Sequence, residues 1–303
     1  MRAAPLYPLL VAALICTSAS STLAQTPVST PTPPARPPLV VKQVKPDLFM
    51  ITGAGGNTTV RVTSEGLVVV DCKNPGQAIY DELTADIHAI SPVPIRFVVD
   101  THIHADHTGN NARFEAAGVK VIGQQNIPVE LAKFMPPANN PTLQPPASPN
   151  ITYDKTYEIK LGGKTVKLNH YTPAHTNCDT IVFFPDLKVV SMGDELVSTT
   201  PNFDYGGGAS ITGWLESLDH VMKLDWELAI PGHGDTPLTK ADMVAFRGKL
   251  ATFLERAKAQ VKAGTPKDKL IASMKTDDLW TFSPVAWAPG PRLDGFYAEA
   301  GGK

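Results

Sequence analysis

The chain has little cysteine, three residues in 303. A disulfide-stapled scaffold is therefore excluded, because it needs paired cysteines at high density. Charge imbalance is small as well: 27 Lys+Arg face 29 Asp+Glu, a net charge of −2. No nucleic-acid partner is expected, since such a partner leaves a basic excess or patch. Long apolar runs are missing. The run at residues 6–15 is too short to cross a bilayer, which takes about 20 residues. Neither a glycine-rich phosphate loop nor an ordered Ser-His-Asp triad can be read. Histidine is sparse too, eight residues, but most of it is concentrated in a few places.

The N-terminus reads as an export signal. Arg2 is basic, residues 6–15 are apolar, and residues 18–24 are small, with Thr22-Leu23-Ala24 preceding Gln25 as a cleavage site. Ile15 is bulky where lipoprotein processing at Cys16 needs a small residue. Removal of residues 1–24 takes away Arg2, leaving 26 basic against 29 acidic residues, or −3. The mature protein is expected to be periplasmic or secreted, without stable membrane insertion. Residues 25–38 are a proline-rich, semi-rigid tether. Residues 39–303 are long enough for one large α/β domain.

The informative stretch is Asp100-Thr-His-Ile-His-Ala-Asp-His-Thr-Gly109, in which four metal-capable side chains, His102, His104, Asp106 and His107, fall within six residues. The apolar run 95–99 leads into it as a buried strand, and residues after 108 read as a helix. In extended chain, residues two apart point the same way, so His102 and His104 can grip one metal. The turn toward the helix then swings Asp106 and His107 to another side, where they can serve a second. Three later apolar runs end in one donor each: His175 in Thr172-Pro-Ala-His-Thr, Asp194 after Val189-Val-Ser-Met-Gly, and His233 after Leu228-Ala-Ile-Pro-Gly. Sites of layered α/β proteins are commonly built at strand ends in this way.

With these motifs in this order, the chain resembles the metallo-β-lactamase superfamily over roughly residues 39–264. The resemblance implies a four-layer αββα sandwich and a dinuclear zinc site, with other divalent metals possible. His102, His104 and His175 would hold one ion, and Asp106, His107 and His233 the other. Asp194 matches the bridging aspartate of glyoxalase II-like members, where dedicated β-lactamases usually carry another residue. Asp106 and Asp194 would orient the attacking water and help move its proton. The implied function is hydrolysis of a small molecule at the carbonyl of a cyclic amide of β-lactam type, a lactone or an ester. A glyoxalase II-like thioesterase is the alternative. A di-iron redox protein of the same fold usually has glutamate where His104 stands.

Phe203 and Tyr205, in the loop after Asp194, and Asn57, ending a glycine-rich loop, are candidate substrate contacts. Asp71, at the end of the strand 67–71, either orients a ligand histidine or caps its strand. His88, His170 and His220 read as bystanders, and Cys72 and Cys178 as buried free thiols. Residues 74–90 and 240–263 read as helices, the latter with Ala245, Leu250, Phe253 and Leu254 inward. Ser210 reads as the N-cap of a helix over 210–224. Trp280, Trp287, Phe296 and Tyr297 are expected to pack back on the domain, and residues 136–150 to form a surface loop.

Overall fold

A computed structural model describes residues 1, 36–136, 142, 144–281 and 290–303. Residues 2–24 of the proposed signal segment, residues 25–35 of the tether, part of the loop 136–150 and Trp287 lie outside the described residues. One compact unit runs from Pro37 to Lys303.

Twelve strands within the described residues form two sheets. The first takes β1 (Val40–Lys45), β2 (Leu48–Thr52), β3 (Thr58–Thr63), β4 (Gly66–Val70), β5 (Ile95–Val99), β6 (Lys120–Gln124) and β7 (Ile151–Tyr153), in that order. β1 to β4 pair antiparallel as hairpins, and β4 to β7 pair parallel through crossovers. The second takes β8 (Thr156–Leu161), β9 (Lys164–Asn169), β10 (Ile181–Phe184), β11 (Val189–Ser191) and β12 (Leu228–Ile230), in the order β12-β11-β10-β9-β8.

Side-chain alternation fixes the layers. In β4, Val68 and Val70 join Ile159, Val166, Leu168, Val182 and Phe184 in a core between the sheets. Leu67 and Val69 point the other way, to Leu83 and Ile87 of α1 (Gln77–Ile90). Two short helices follow, α2 (Ala105–Thr108) and α3 (Asn111–Ala116), and Phe114 of α3 joins that outer layer. The helix α4 (Asn126–Leu131) comes next. On the second sheet's outer face, Phe183, Val190 and Ala229 meet Trp214 and Leu218 of α5 (Ile211–Met222) and Phe246, Leu250 and Phe253 of α6 (Lys240–Lys262). The short α7 (Leu270–Ser273) and the C-terminal α8 (Pro291–Glu299) close that layer, with Phe296 buried among its aromatics. The order helix, sheet, sheet, helix is the expected sandwich.

Several local expectations hold. Ser210 caps α5 by accepting from Gly213 N–H, and Cys72 and Cys178 are buried and free. Others change. β1 is an added edge strand, with Val40 and Val41 exposed, so it carries no inward stripe to read. α1 begins at Gln77, not Asn74, because Asn74 N–H is taken by Ala54 C=O and Gly76 sits at φ 151°. In α6, Ala245 is exposed, and Met243 and Phe246 face inward. Among the described residues, no helix is long and apolar enough to cross a membrane.

Candidate metal centre

The end of β5 continues into Asp100-Thr101-His102, and the chain then coils into α2, which carries Asp106 and His107. His175 lies beyond β9, Asp194 follows β11, and His233 follows β12. β11 and β12 are parallel neighbours, so Asp194 and His233 emerge side by side. Two sets of donors result, each with its ligand atoms within 4.8 Å of one another: His102, His104, His175 and Asp194, and Asp106, His107 and His233. All seven predicted donors are thus brought together.

Hydrogen bonds behind the imidazoles determine which nitrogens are left facing in. His175 Nδ1 lies 2.7 Å from the Asn202 carbonyl, which only accepts, so it carries the proton. His104 Nε2 donates likewise to Asp204 Oδ2 at 2.9 Å. The Thr101 hydroxyl donates to Asp71 Oδ2 at 2.8 Å, which leaves its oxygen to accept from His102 Nδ1 at 3.0 Å. Their other nitrogens converge as lone pairs: His102 Nε2 and His175 Nε2 each lie 3.0 Å from His104 Nδ1. Lone pairs at that separation repel unless a cation stands between them. Three imidazoles with inward-facing nitrogens and one carboxylate suit zinc, and related divalent ions fit as well.

The second set is built from charge. His107 Nδ1 donates to Asp71 Oδ2 at 2.7 Å. Its Nε2 lies 3.2 Å from Asp194 Oδ1 and 3.5 Å from Asp106 Oδ2. His233 Nε2 lies 3.2 Å from Asp106 Oδ2 and 3.4 Å from Asp194 Oδ1. Asp194 stands between the sets, with Oδ2 3.7 Å from His175 Nε2. Its Oδ1 is buried without a well-formed hydrogen bond, a costly state that a cation would relieve.

The protein groups alone already separate the two sets. Burial pushes His102 well below the usual histidine range, and His107 and His175 add to that. Burial brings His175 down to about 4 against the pull of Asp194. In the second set burial works the same way but loses to the carboxylates. Asp71 and Asp194 hold His107 well above its ordinary value, and Asp106 and Asp194 hold His233 at about 9. Asp106 goes down to about 2: burial opposes its charge, and the His233 and His107 contacts outweigh burial.

Two glycines permit this packing. A Cβ on Gly56 would lie 2.2 Å from His107 Cε1, and one on Gly232 would lie 2.1 Å from Asp194 Oδ1. The glycine-rich loop therefore lies directly against the second set. Gly56 N–H also donates to the Asp106 carbonyl at 3.0 Å.

The three candidate substrate contacts are corrected. Phe203 is 1% exposed and packs on Trp214, Phe253 and Trp280. Its neighbour Asp204 is the loop residue that reaches the site. Asn57 is 5% exposed, and its amide donates to the carbonyls of Pro231 and Gly234, fastening the His233 loop. The Tyr205 hydroxyl donates to Glu299 Oε2 at 2.5 Å, so that ring is committed to α8. Asp71 takes the ligand-orienting role, and Asp204 and Thr101 join it. Asp204 carried a weak sign, an acid inside the loop already singled out; Thr101 carried none. The bystander histidines stay outside: His88 bonds Thr84 C=O, His170 bonds Asp179 C=O, and His220 stacks on Tyr171.

A family model, the Metallo-beta-lactamase superfamily, matches residues 51–233, a span that includes all seven donors. The chain belongs to the metallo-beta-lactamase superfamily. Among curated relatives, it is 24% identical over 198 residues to the 2,4-dinitroanisole O-demethylase subunit alpha of Nocardioides sp. (strain JS1661). That match covers 65% of this chain and 58% of the relative, so the chain spans less than two thirds of that protein's length. Among solved structures, a metallo-beta-lactamase from Pontibacter korlensis aligns with TM-score 0.61 and 18% identity, covering 70% of this chain and 99% of that one. The stereoselective inverting sec-alkylsulfatase Pisa1 from Pseudomonas sp. aligns with TM-score 0.64 and 15% identity, covering 86% and 50%. At these identities the structural likeness shows the fold alone.

Proposed function

We propose that the protein is an exported, metal-dependent hydrolase that opens a lactone, an ester or a cyclic amide of β-lactam type. The observation that carries this reading is the convergence of unprotonated imidazole nitrogens, at 3.0 Å, beside a buried bridging carboxylate. Two divalent ions, zinc by preference, would be held by His102, His104 and His175 and by Asp106, His107 and His233, with Asp194 shared. When bound, such ions supply Lewis acidity and lower the pKa of a water to about 7.

The chain's own residues do the rest. Asp71, Thr101, Asp204 and the Asn202 carbonyl lock the ring orientations. Asp194, whose Oδ1 lies 3.2–3.4 Å from His107 and His233, orients the attacking water. Asp106, with a side chain 30% exposed and Oδ2 turned to His107 and His233, orients that water together with Asp194. Residues 1–24 direct export, as their basic, apolar and small-residue order suggests.

The names of two relatives favour a second reading, in which the same site directs water at an aryl ether or a sulfate ester. The deciding experiment is a panel assay of a chromogenic cephalosporin, a lactone, a thioester, an aryl methyl ether and a sulfate ester. It is run with chelator and then with zinc restored. Chelator-sensitive opening of the cephalosporin, the lactone or the thioester supports hydrolysis at a carbonyl. Turnover confined to the ether or sulfate moves the protein to the second reading. Turnover that survives both chelation and His102→Ala overturns the metal reading itself. Sequencing the N-terminus of protein recovered from the periplasm tests export, with cleavage expected near Ala24.

A further inference from the structure

A cleft of about 530 Å³ opens against His104 and Asp204, a size ordinary for a small-molecule site. Its walls come from the Ile103–Ala105 turn, the end of α4 with the residues after it, and Gly206-Gly207. Its apolar lining includes Ile103, Leu131, Phe134, Met135 and Pro146. Beneath it lies a small apolar cluster of Ile127, Leu131 and Cys178, with Ile103 packed against it, separate from the three main cores. Met135 is 84% exposed at the lip, a position that folding does not explain.

The charged groups of this cleft are spent on each other. Glu130 accepts from Lys133 Nζ at 2.8 Å through both oxygens, and from Asn177 Nδ2 at 2.6 Å. Asp204 accepts from His104 and from Gly207 N–H at 3.0 Å. Among the described residues the cleft therefore offers apolar surface, and its charged groups, Glu130, Lys133 and Asp204, already hold hydrogen-bond partners. A charged substituent would lose its hydration there without gaining a partner.

We propose that the substrate carries an uncharged, apolar chain or ring on the side of its reactive bond that faces His104, seated in this cleft. The inference rests on the hydrolase reading and adds the substrate class: hydrophobic acyl esters or alkyl-substituted lactones, in preference to small polar ones. A fully buried methylene is worth about fourfold in binding. For the zinc-loaded protein, kcat/KM on p-nitrophenyl esters should rise at least tenfold from the two-carbon to the six-carbon acyl chain. Met135→Asp and Phe134→Ala should each shrink that ratio severalfold, while zinc content stays at the wild-type level. Chelator-sensitive turnover with no dependence on chain length overturns the inference and leaves the hydrolase reading standing. If no ester turns over, titration with uncharged N-alkyl acetamides of the same lengths reads the cleft directly. Affinity that climbs with length, and climbs less in Met135→Asp, then keeps the cleft's ligand class, and the cephalosporin and lactone assays decide the hydrolase reading separately; affinity indifferent to length overturns the inference.

Discussion

The two donor sets use the same residue types and touch each other, yet they are opposite in electrostatic character. In the first, the two buried histidines are neutral: His102 and His175 are driven to low pKa, and their inward nitrogens are fixed as lone pairs by Thr101 and Asn202, while His104 faces the cleft. The second is open and charged: Asp106 and His233 have side chains 30% and 31% exposed, and its histidines are held protonated by Asp71, Asp106 and Asp194. A metal ion entering the first set meets ready lone pairs. One entering the second set must displace protons. Ligand identity alone therefore does not fix how a site competes for metal. The groups behind the ligands do.

The largest change should come from removing what the sets share. Asp194→Ala takes a carboxylate from both, and a loss of more than 100-fold in kcat/KM with reduced zinc content is expected, exceeding the 10–100-fold typical of residues behind the ligands. Retention of two tightly held ions in that variant would end the bridging assignment.

Asp71→Asn and Asp204→Asn separate the sets. Asp71 accepts from His107 directly and from His102 through Thr101, so Asp71→Asn should weaken both ions by about 10–100-fold. Among the seven donors Asp204 hydrogen-bonds His104 alone, so Asp204→Asn should weaken one ion and spare the other. Competition titrations against a chromogenic chelator resolve the two affinities. Equal losses in both variants would mean that the sets are not independently supported.

pH provides a third contrast. His233 at about 9 and His107 above its ordinary value are protonated at neutral pH, so zinc binding to the second set should release protons. Its affinity should fall about tenfold per pH unit per proton as pH drops below 9. His175 at about 4 predicts a flat response of the first set over the same range. Calorimetry in buffers of different ionisation enthalpy counts the protons. In chelated protein the sign of the stability effect follows from the raised value for His233. Its contribution is complete below pH 6.5 and is lost as pH rises through 9. A urea midpoint that climbs over that interval would contradict this assignment.

Gly56→Ala should give the smallest effect and the most local one. Its methyl would press on the His107 ring, costing about 1–3 kcal/mol of stability and loosening the second ion more than the first. Thermal melts with and without zinc measure both.

Much of this was legible in the chain. The unbroken apolar run 67–70 and the run 95–99, interrupted only by Arg96, marked strands, because a strand covered on both faces reads as a continuous apolar stretch. The donors showed themselves because they cluster next to strand ends. β1 was not legible, since a sheet-edge strand with exposed valines needs only β2 as a partner. Phe203 and Tyr205 looked like substrate contacts because a loop beside a metal motif carries no period to tell inward from outward. Once α5, α6 and α8 pack against that loop, both rings turn away and Asp204 turns in.

By itself, then, the sequence determined the strand ends that carry the seven donors and the split of the 102–107 cluster, because these depend on short-range spacing along strands and one turn of helix; the layered fold and the sets that His175, Asp194 and His233 join were what the family resemblance implied. Only the tertiary structure decided which nitrogen each histidine presents, which set carries charge, and which wall a substrate meets. Those depend on partners far away in the chain, such as Asp71 for His107 and Asn202 for His175, and on burial, neither of which spacing along the chain can convey.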